Sequence, residues 1–64
     1  MMKWYNIELN KVDTDDLRMI LKEYGVKYET SQVDNLTHFE IYTDSVYASA
    51  INDCLDMCRM LRNK

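Results

Sequence analysis

Residues 26–43 read VKYETSQVDNLTHFEIYT, and this stretch decides the fold. The segments on both sides of Asp34-Asn35 read as two strands that each carry one buried parity, with Tyr28 on the first and Phe39 and Ile41 on the second. Asp and Asn both tolerate positive φ, which a two-residue hairpin turn requires. The expected strands are 26–33 and 36–43, and their register can be tested within the sequence. If Val33 faces Leu36, then Thr30 faces Phe39 and Tyr28 faces Ile41 on one side. The same register sets Ser31 by His38 and Glu29 by Glu40 on the other. The buried parity of the two strands agrees, so a hairpin is expected.

Upstream of the hairpin, Leu17, Ile20, Leu21 and Tyr24 recur at helical spacing. Gly25 follows as the left-handed residue that ends many helices, with Val26 beyond it as a hydrophobic seal. The acidic run Asp13-Thr14-Asp15-Asp16 opens this helix; Asp13 or Thr14 is expected to cap its free N–H groups. Further upstream, residues 4–10 alternate, with Tyr5, Ile7 and Leu9 on the buried parity and Trp4, Asn6 and Glu8 on the other.

Downstream, Thr43-Asp44-Ser45 supplies a second cap, and the remainder is helical. Tyr47, Ala50, Ile51, Cys54, Cys58 and Leu61 form its central apolar stripe. Val46, Ala48, Leu55 and Met57 widen it beyond the roughly 100° of a minimal core-facing stripe. Arg59, Arg62 and Lys64 fall near the negative end of this helix, where cations are favoured.

The element order is β-α-β-β-α in a single domain, residues 1–64. The fold class is α+β, a two-layer sandwich of a three-stranded sheet, order 1-3-2, with two helices on one face. A right-handed crossover through the first helix is expected to set the first strand parallel to the third. This element order resembles the ferredoxin-like β-α-β-β-α-β unit without its last strand. The resemblance spans the whole chain and is topological, so it implies a fold and no activity.

Sixty-four residues bury only about 60% of the surface that the unfolded chain exposes, so a partner would add useful stability. Apolar residues at 47%, with one Gly and no Pro, mark a globular chain and not a disordered one. Eight Lys/Arg against 11 Asp/Glu give a net charge of -3, without the basic stripe of a nucleic-acid binder. Two cysteines within one helical stretch do not staple loops, so a reducing, cytoplasmic setting is expected. Residues 1–10 alternate and lack the apolar run of a leader, and no segment approaches a membrane span.

If both helices cover one face, the other stays bare, and the first strand is left as a sheet edge. Neither Pro nor a bulge blunts that edge, although Lys3 and Glu8 give some protection. Such an edge pairs with a copy of itself or accepts a strand from another protein. The candidate partner-binding residues on the bare face are Trp4, Glu8, Glu29, Leu36, His38, Glu40 and Tyr42. An open sheet with aromatics also suits a single-stranded RNA reader. Three glutamates against Lys27 and His38 would repel phosphates, so direct nucleic-acid binding is not expected.

Chemistry is sparse. Cys54 and Cys58 are four apart on a helix, but a closed zinc site needs about four ligands and the only histidine faces away. They read as small buried hydrophobes, and no metal or cofactor is expected. His38 with Glu40 or Glu29 could form an acid–base pair, yet a flat sheet offers no dry concave site, so no catalytic residue is assigned. Gly25 as the only glycine excludes a Gly-rich phosphate loop. Asp13, Asp15 and Asp16 are ascribed to helix capping, and Asp56 to an i,i+3 pair with Arg59.

These features point to a non-enzymatic interaction module: a small acidic inhibitor or adaptor docking on a larger protein, such as a basic nucleic-acid enzyme. A homodimer through the first-strand edge or the open face is expected. In size and charge alone the chain is similar to phage-encoded inhibitors, including anti-CRISPR proteins. The alternative is a regulatory domain that binds a small molecule at a dimer interface.

Overall fold

A computed structural model describes residues 1–63. Strand β1 (Lys3–Leu9) leads into helix α1 (Lys11–Tyr24), then β2 (Lys27–Val33), β3 (Leu36–Thr43) and helix α2 (Ser45–Arg62). The sheet order is β1-β3-β2. The hairpin register is the one that the alternation implies: Val33 opposite Leu36, Thr30 opposite Phe39 and Tyr28 opposite Ile41. Asp34 supplies the positive φ, at 56°, in the turn.

The direction of β1 differs from the expectation. β1 runs antiparallel to β3, with Tyr5 opposite Ile41 and Ile7 opposite Phe39. The crossover through α1 makes β1 parallel to β2, the strand that it leads into. β3 is the hairpin partner of β2, so it must run against both.

The core lies between the sheet and the helical layer. It joins Leu9, Phe39 and Ile41 from the sheet, Leu17, Ile20 and Leu21 from α1, and Ile51 and Leu55 from α2. Every strand member has the parity expected of the covered face. β2 contributes none of these buried residues; Tyr28 packs against the core, but Thr30 and Gln32 are exposed. The helices therefore shield β1 and β3 more fully than β2.

Helix α1 is capped one turn earlier than the acidic run implies. Asn10 is the N-cap, and its Oδ1 accepts the Asp13 N–H at 2.9 Å. Leu9 ends the strand in the core, so the chain turns immediately after it, at a residue well suited to capping. This places Asp13 in the first helical turn, where it is buried and faces α2 instead of capping. The other end is as expected: Gly25 has φ 66° and donates to Leu21 O at 2.9 Å, and Val26 N–H reaches the same oxygen at 3.4 Å. The Val26 side chain then seals against the core.

Asp44 caps α2 by accepting the Tyr47 N–H at 2.8 Å. The apolar stripe of α2 is narrower than its sequence. Ile51 and Leu55 are buried, with Cys54 and Cys58 packed beside them. Tyr47 and Leu61 are 47% and 67% exposed, and Val46 and Met57 are more than half exposed. A helix in an outer layer has neighbours only beneath and to one side, so half a circumference of apolar residues cannot all be covered.

The two helices run antiparallel and are joined by charge. Arg59 Nε donates to Asp13 Oδ2 at 3.2 Å, Arg62 donates to Asp13 and Asp16, and Arg59 also reaches Asp56 at 3.3 Å. Asp13 and Asp16 therefore pair between helices and do more than cap, whereas Asp56 pairs with Arg59 as expected. The acids sit at the positive end of α1 and the arginines at the negative end of α2, where each suits the local dipole. Lys64, grouped with these arginines by sequence, lies outside the described residues.

Thr14 is 6% exposed, and its hydroxyl has no hydrogen-bond partner among the described residues. Thr14→Val removes that orphan at constant shape. It is expected to raise stability by about 1 kcal/mol in a urea melt; a loss of stability would show that the hydroxyl is satisfied in solution.

A bare sheet face as the candidate binding surface

Alternation sends one residue in two of each strand away from the helices, and the register sorts these residues into cross-strand rows. Trp4, Tyr42 and Lys27 form the first row; Asn6, Glu40 and Glu29 the second; Glu8, His38 and Ser31 the third. Leu36 and Val33 close the far end beside the turn. All seven candidate residues, Trp4, Glu8, Glu29, Leu36, His38, Glu40 and Tyr42, thus stand on one face. Among the described residues no helix or strand covers it.

The rows differ in character. At one corner the Trp4 and Tyr42 rings meet at 5.1 Å between centroids, tilted by 47°. The Lys27 ammonium lies 6.0 Å from the Trp4 centroid, at the outer limit of a cation–π contact. Tyr42 is half-buried by this packing, while Trp4 remains 43% exposed. Val33 and Leu36 are exposed at the opposite corner. Between them lies an acidic band in which Glu29 and Glu40 stand directly opposite each other, both exposed. Like charges in opposed sheet positions are destabilising. The half-buried His38 lies opposite Glu8 of β1, a pairing invisible within the hairpin because it comes from a strand distant in sequence.

Other chemically suggestive groups are elsewhere. Cys54 Sγ lies 3.6 Å from the Tyr24 hydroxyl on the helical side of the sheet, across the sheet from His38. That contact, followed by desolvation, raises the Tyr24 phenol above its ordinary value. Among the described residues no three His, Cys, Asp or Glu side chains group as metal ligands would. No described helix is long and apolar enough to cross a membrane.

Two concavities stand out among the described residues. A cleft of about 200 Å³ runs between β1 and α2, lined by Tyr5, Ile7, Ile41, Ala48, Ile51 and Leu55 among others. It is smaller than the roughly 300–1,000 Å³ of pockets that hold small ligands. A wider, polar depression of about 540 Å³ lies between α1 and the β2–β3 turn, lined by Lys11, Asp15, Arg18, Gln32 and Asn35 with neighbours. None of the seven face residues lines either one. Comparison with protein-family models, curated proteins and solved structures finds no match.

Proposed function

We propose that this chain is a non-enzymatic protein-binding module whose bare sheet face docks on a larger protein. The observation that carries the reading is the composition of that face: an aromatic corner, an apolar corner and three glutamates between them. Trp and Tyr are enriched among residues that dominate binding energy, because each presents a rigid, partly apolar surface. Glu8, Glu29 and Glu40 select a basic partner surface and disfavour phosphates. The opposed Glu29–Glu40 pair supports the same reading, since a cationic partner would relieve its repulsion. An inhibitor or adaptor acting on a basic nucleic-acid enzyme fits this chemistry.

The test is retention of proteins from a native lysate by the full chain, compared with Trp4→Ala, Tyr42→Ala and Glu40→Lys. Each variant must first give a wild-type circular dichroism spectrum. Loss at least of about ten-fold in affinity for one retained protein is expected from either aromatic variant, equivalent to about 1.4 kcal/mol. Binding by the Glu40→Lys chain should also lose its salt sensitivity. Folded variants that keep every partner at full strength would remove this face from the function.

A further inference from the structure

We infer that the free edge of β1 pairs antiparallel with β1 of a second copy, about a two-fold axis at Asn6, and so seals the cleft beside α2. This deepens the reading above as an association protein, but it uses the sheet edge and leaves the bare face free. The two ideas can therefore fail separately.

The sheet has two edges, and they differ. β2 carries no core residue and exposes Thr30, Ser31 and Gln32 in succession, so a strand added there would bury little apolar surface. β1 is incomplete in a different way. Tyr5 and Ile7 point toward the helices yet remain half-exposed, whereas Leu9 on the same parity is 4% exposed. The outer side of those two residues opens into the apolar cleft beneath α2. The chain as a whole exposes 4767 Å² for 7.7 kDa, against about 4,300 Å² for a folded monomer of that mass. A fourth strand along β1 would join its backbone groups and send alternate side chains into the cleft.

The sequence of β1 suits a copy of itself in that place. Residues opposite each other in an antiparallel pair face the same side, so their numbers must sum to an even value. The register that pairs the whole strand sets Asn6 opposite Asn6, Tyr5 opposite Ile7, Trp4 opposite Glu8 and Lys3 opposite Leu9. Tyr5 and Ile7 of both copies then meet over the cleft. On the other face, the partner's Glu8 arrives beside Trp4, whose ring lies near the Lys27 ammonium. No like charges are opposed. A parallel copy would instead bring Lys3 to Lys3 and Glu8 to Glu8. The antiparallel pairing also closes on itself, consuming the edge in both copies and preventing further growth through it. The product is a six-stranded sheet, β2-β3-β1-β1-β3-β2, with all helices on one side and one continuous bare face on the other.

Sedimentation equilibrium of the full chain tests this. The wild type is expected at twice the 7.7 kDa of the chain. Asn6→Lys is chosen because Asn6 is exposed and lies opposite Glu40 within its own sheet, so the fold should tolerate it. Across the axis it would face its own copy, and the dimer should weaken about ten-fold. Asn6→Glu faces Glu40 in its own sheet, so it is used only once it gives a wild-type circular dichroism spectrum. It should then weaken the dimer similarly, and an equal mixture of the two folded variants should restore it. In a sample mixed from labelled and unlabelled wild-type chains, magnetisation transfer between the Tyr5 ring and Ile7 methyls of different subunits is expected. Tyr42→Ala, in the middle strand, should leave the dimer intact even where it abolishes partner binding. A wild type that stays monomeric, a dimer indifferent to Asn6→Lys, a mixture that does not reassociate, or a dimer lost with Tyr42→Ala would each overturn the pairing.

Discussion

Phe39→Ala is expected to leave most of the chain unfolded at room temperature. Phe39 is fully buried at the centre of the middle strand, and no other ring in the sheet is as deeply enclosed. It packs on the Tyr28 ring at 5.8 Å, and the Arg18 guanidinium stands 5.7 Å from its centroid. Removing a buried phenyl group costs about 3–5 kcal/mol in lost transfer energy and cavity formation. A domain of 64 residues has a total stability of only about 3–10 kcal/mol at typical per-residue values. The loss is therefore comparable to the whole. Urea melts followed by circular dichroism should show the midpoint collapsing toward zero denaturant. A loss below about 1 kcal/mol would mean that the layers can close over the vacancy. Phe39→Leu keeps most of the volume and should fold with a lowered midpoint, which separates loss of packing from loss of the ring itself.

The second large effect is expected from Arg59→Ala combined with Arg62→Ala. Both arginines end on Asp13, whose side chain is 10% exposed. Removing both strands a carboxylate against the helical layer with no cation to balance it. Breaking a fully buried pair costs about 3–5 kcal/mol, because the remaining charge is left uncompensated. The arginines are 39% and 34% exposed, so water already screens part of the interaction and about 2 kcal/mol is the better expectation. The diagnostic is the third substitution. Adding Asp13→Asn to the double variant removes the stranded charge and should recover part of the lost stability, although Asp13→Asn alone is destabilising. If the triple variant were less stable than the double, the cluster would be acting through packing of the arginine stems and not through charge.

Local chemistry was enough to recover most of the architecture from the sequence. Gly25 and Asp34 punctuate the chain at positive φ, which few residues adopt, and Asp44 does so with a side chain that caps the next helix. The Asp34-Asn35 turn pins the hairpin register, and that register sets Tyr28, Thr30, Phe39 and Ile41 on one face. The three-strand order follows from these plus one crossover. The candidate face was legible for the same reason: strand parity assigns Trp4, Glu8, Glu29, Leu36, His38, Glu40 and Tyr42 to one side without knowledge of the packing.

What sequence reasoning missed is nonlocal. The direction of β1 against β3 depends on which strand the crossover enters and where the hairpin then returns. The acidic run at Asp13–Asp16 looks like capping on its own; Asn10 takes that role, and the acids are drawn to arginines more than 40 residues away. Likewise, the breadth of the α2 stripe could not reveal that Tyr47 and Leu61 would stay exposed, because coverage depends on the neighbouring layer and not on the helix.

The sequence by itself determined the five elements, the hairpin register and the two-faced character of the sheet, since each rests on backbone preferences and on side-chain periods within a single segment. Only the tertiary structure decided the antiparallel placement of β1, the Asp13–Arg59–Arg62 junction and the unfilled cleft under α2. Those features arise where segments remote along the chain meet, and their geometry is set by how the sheet and the helical layer share a small core.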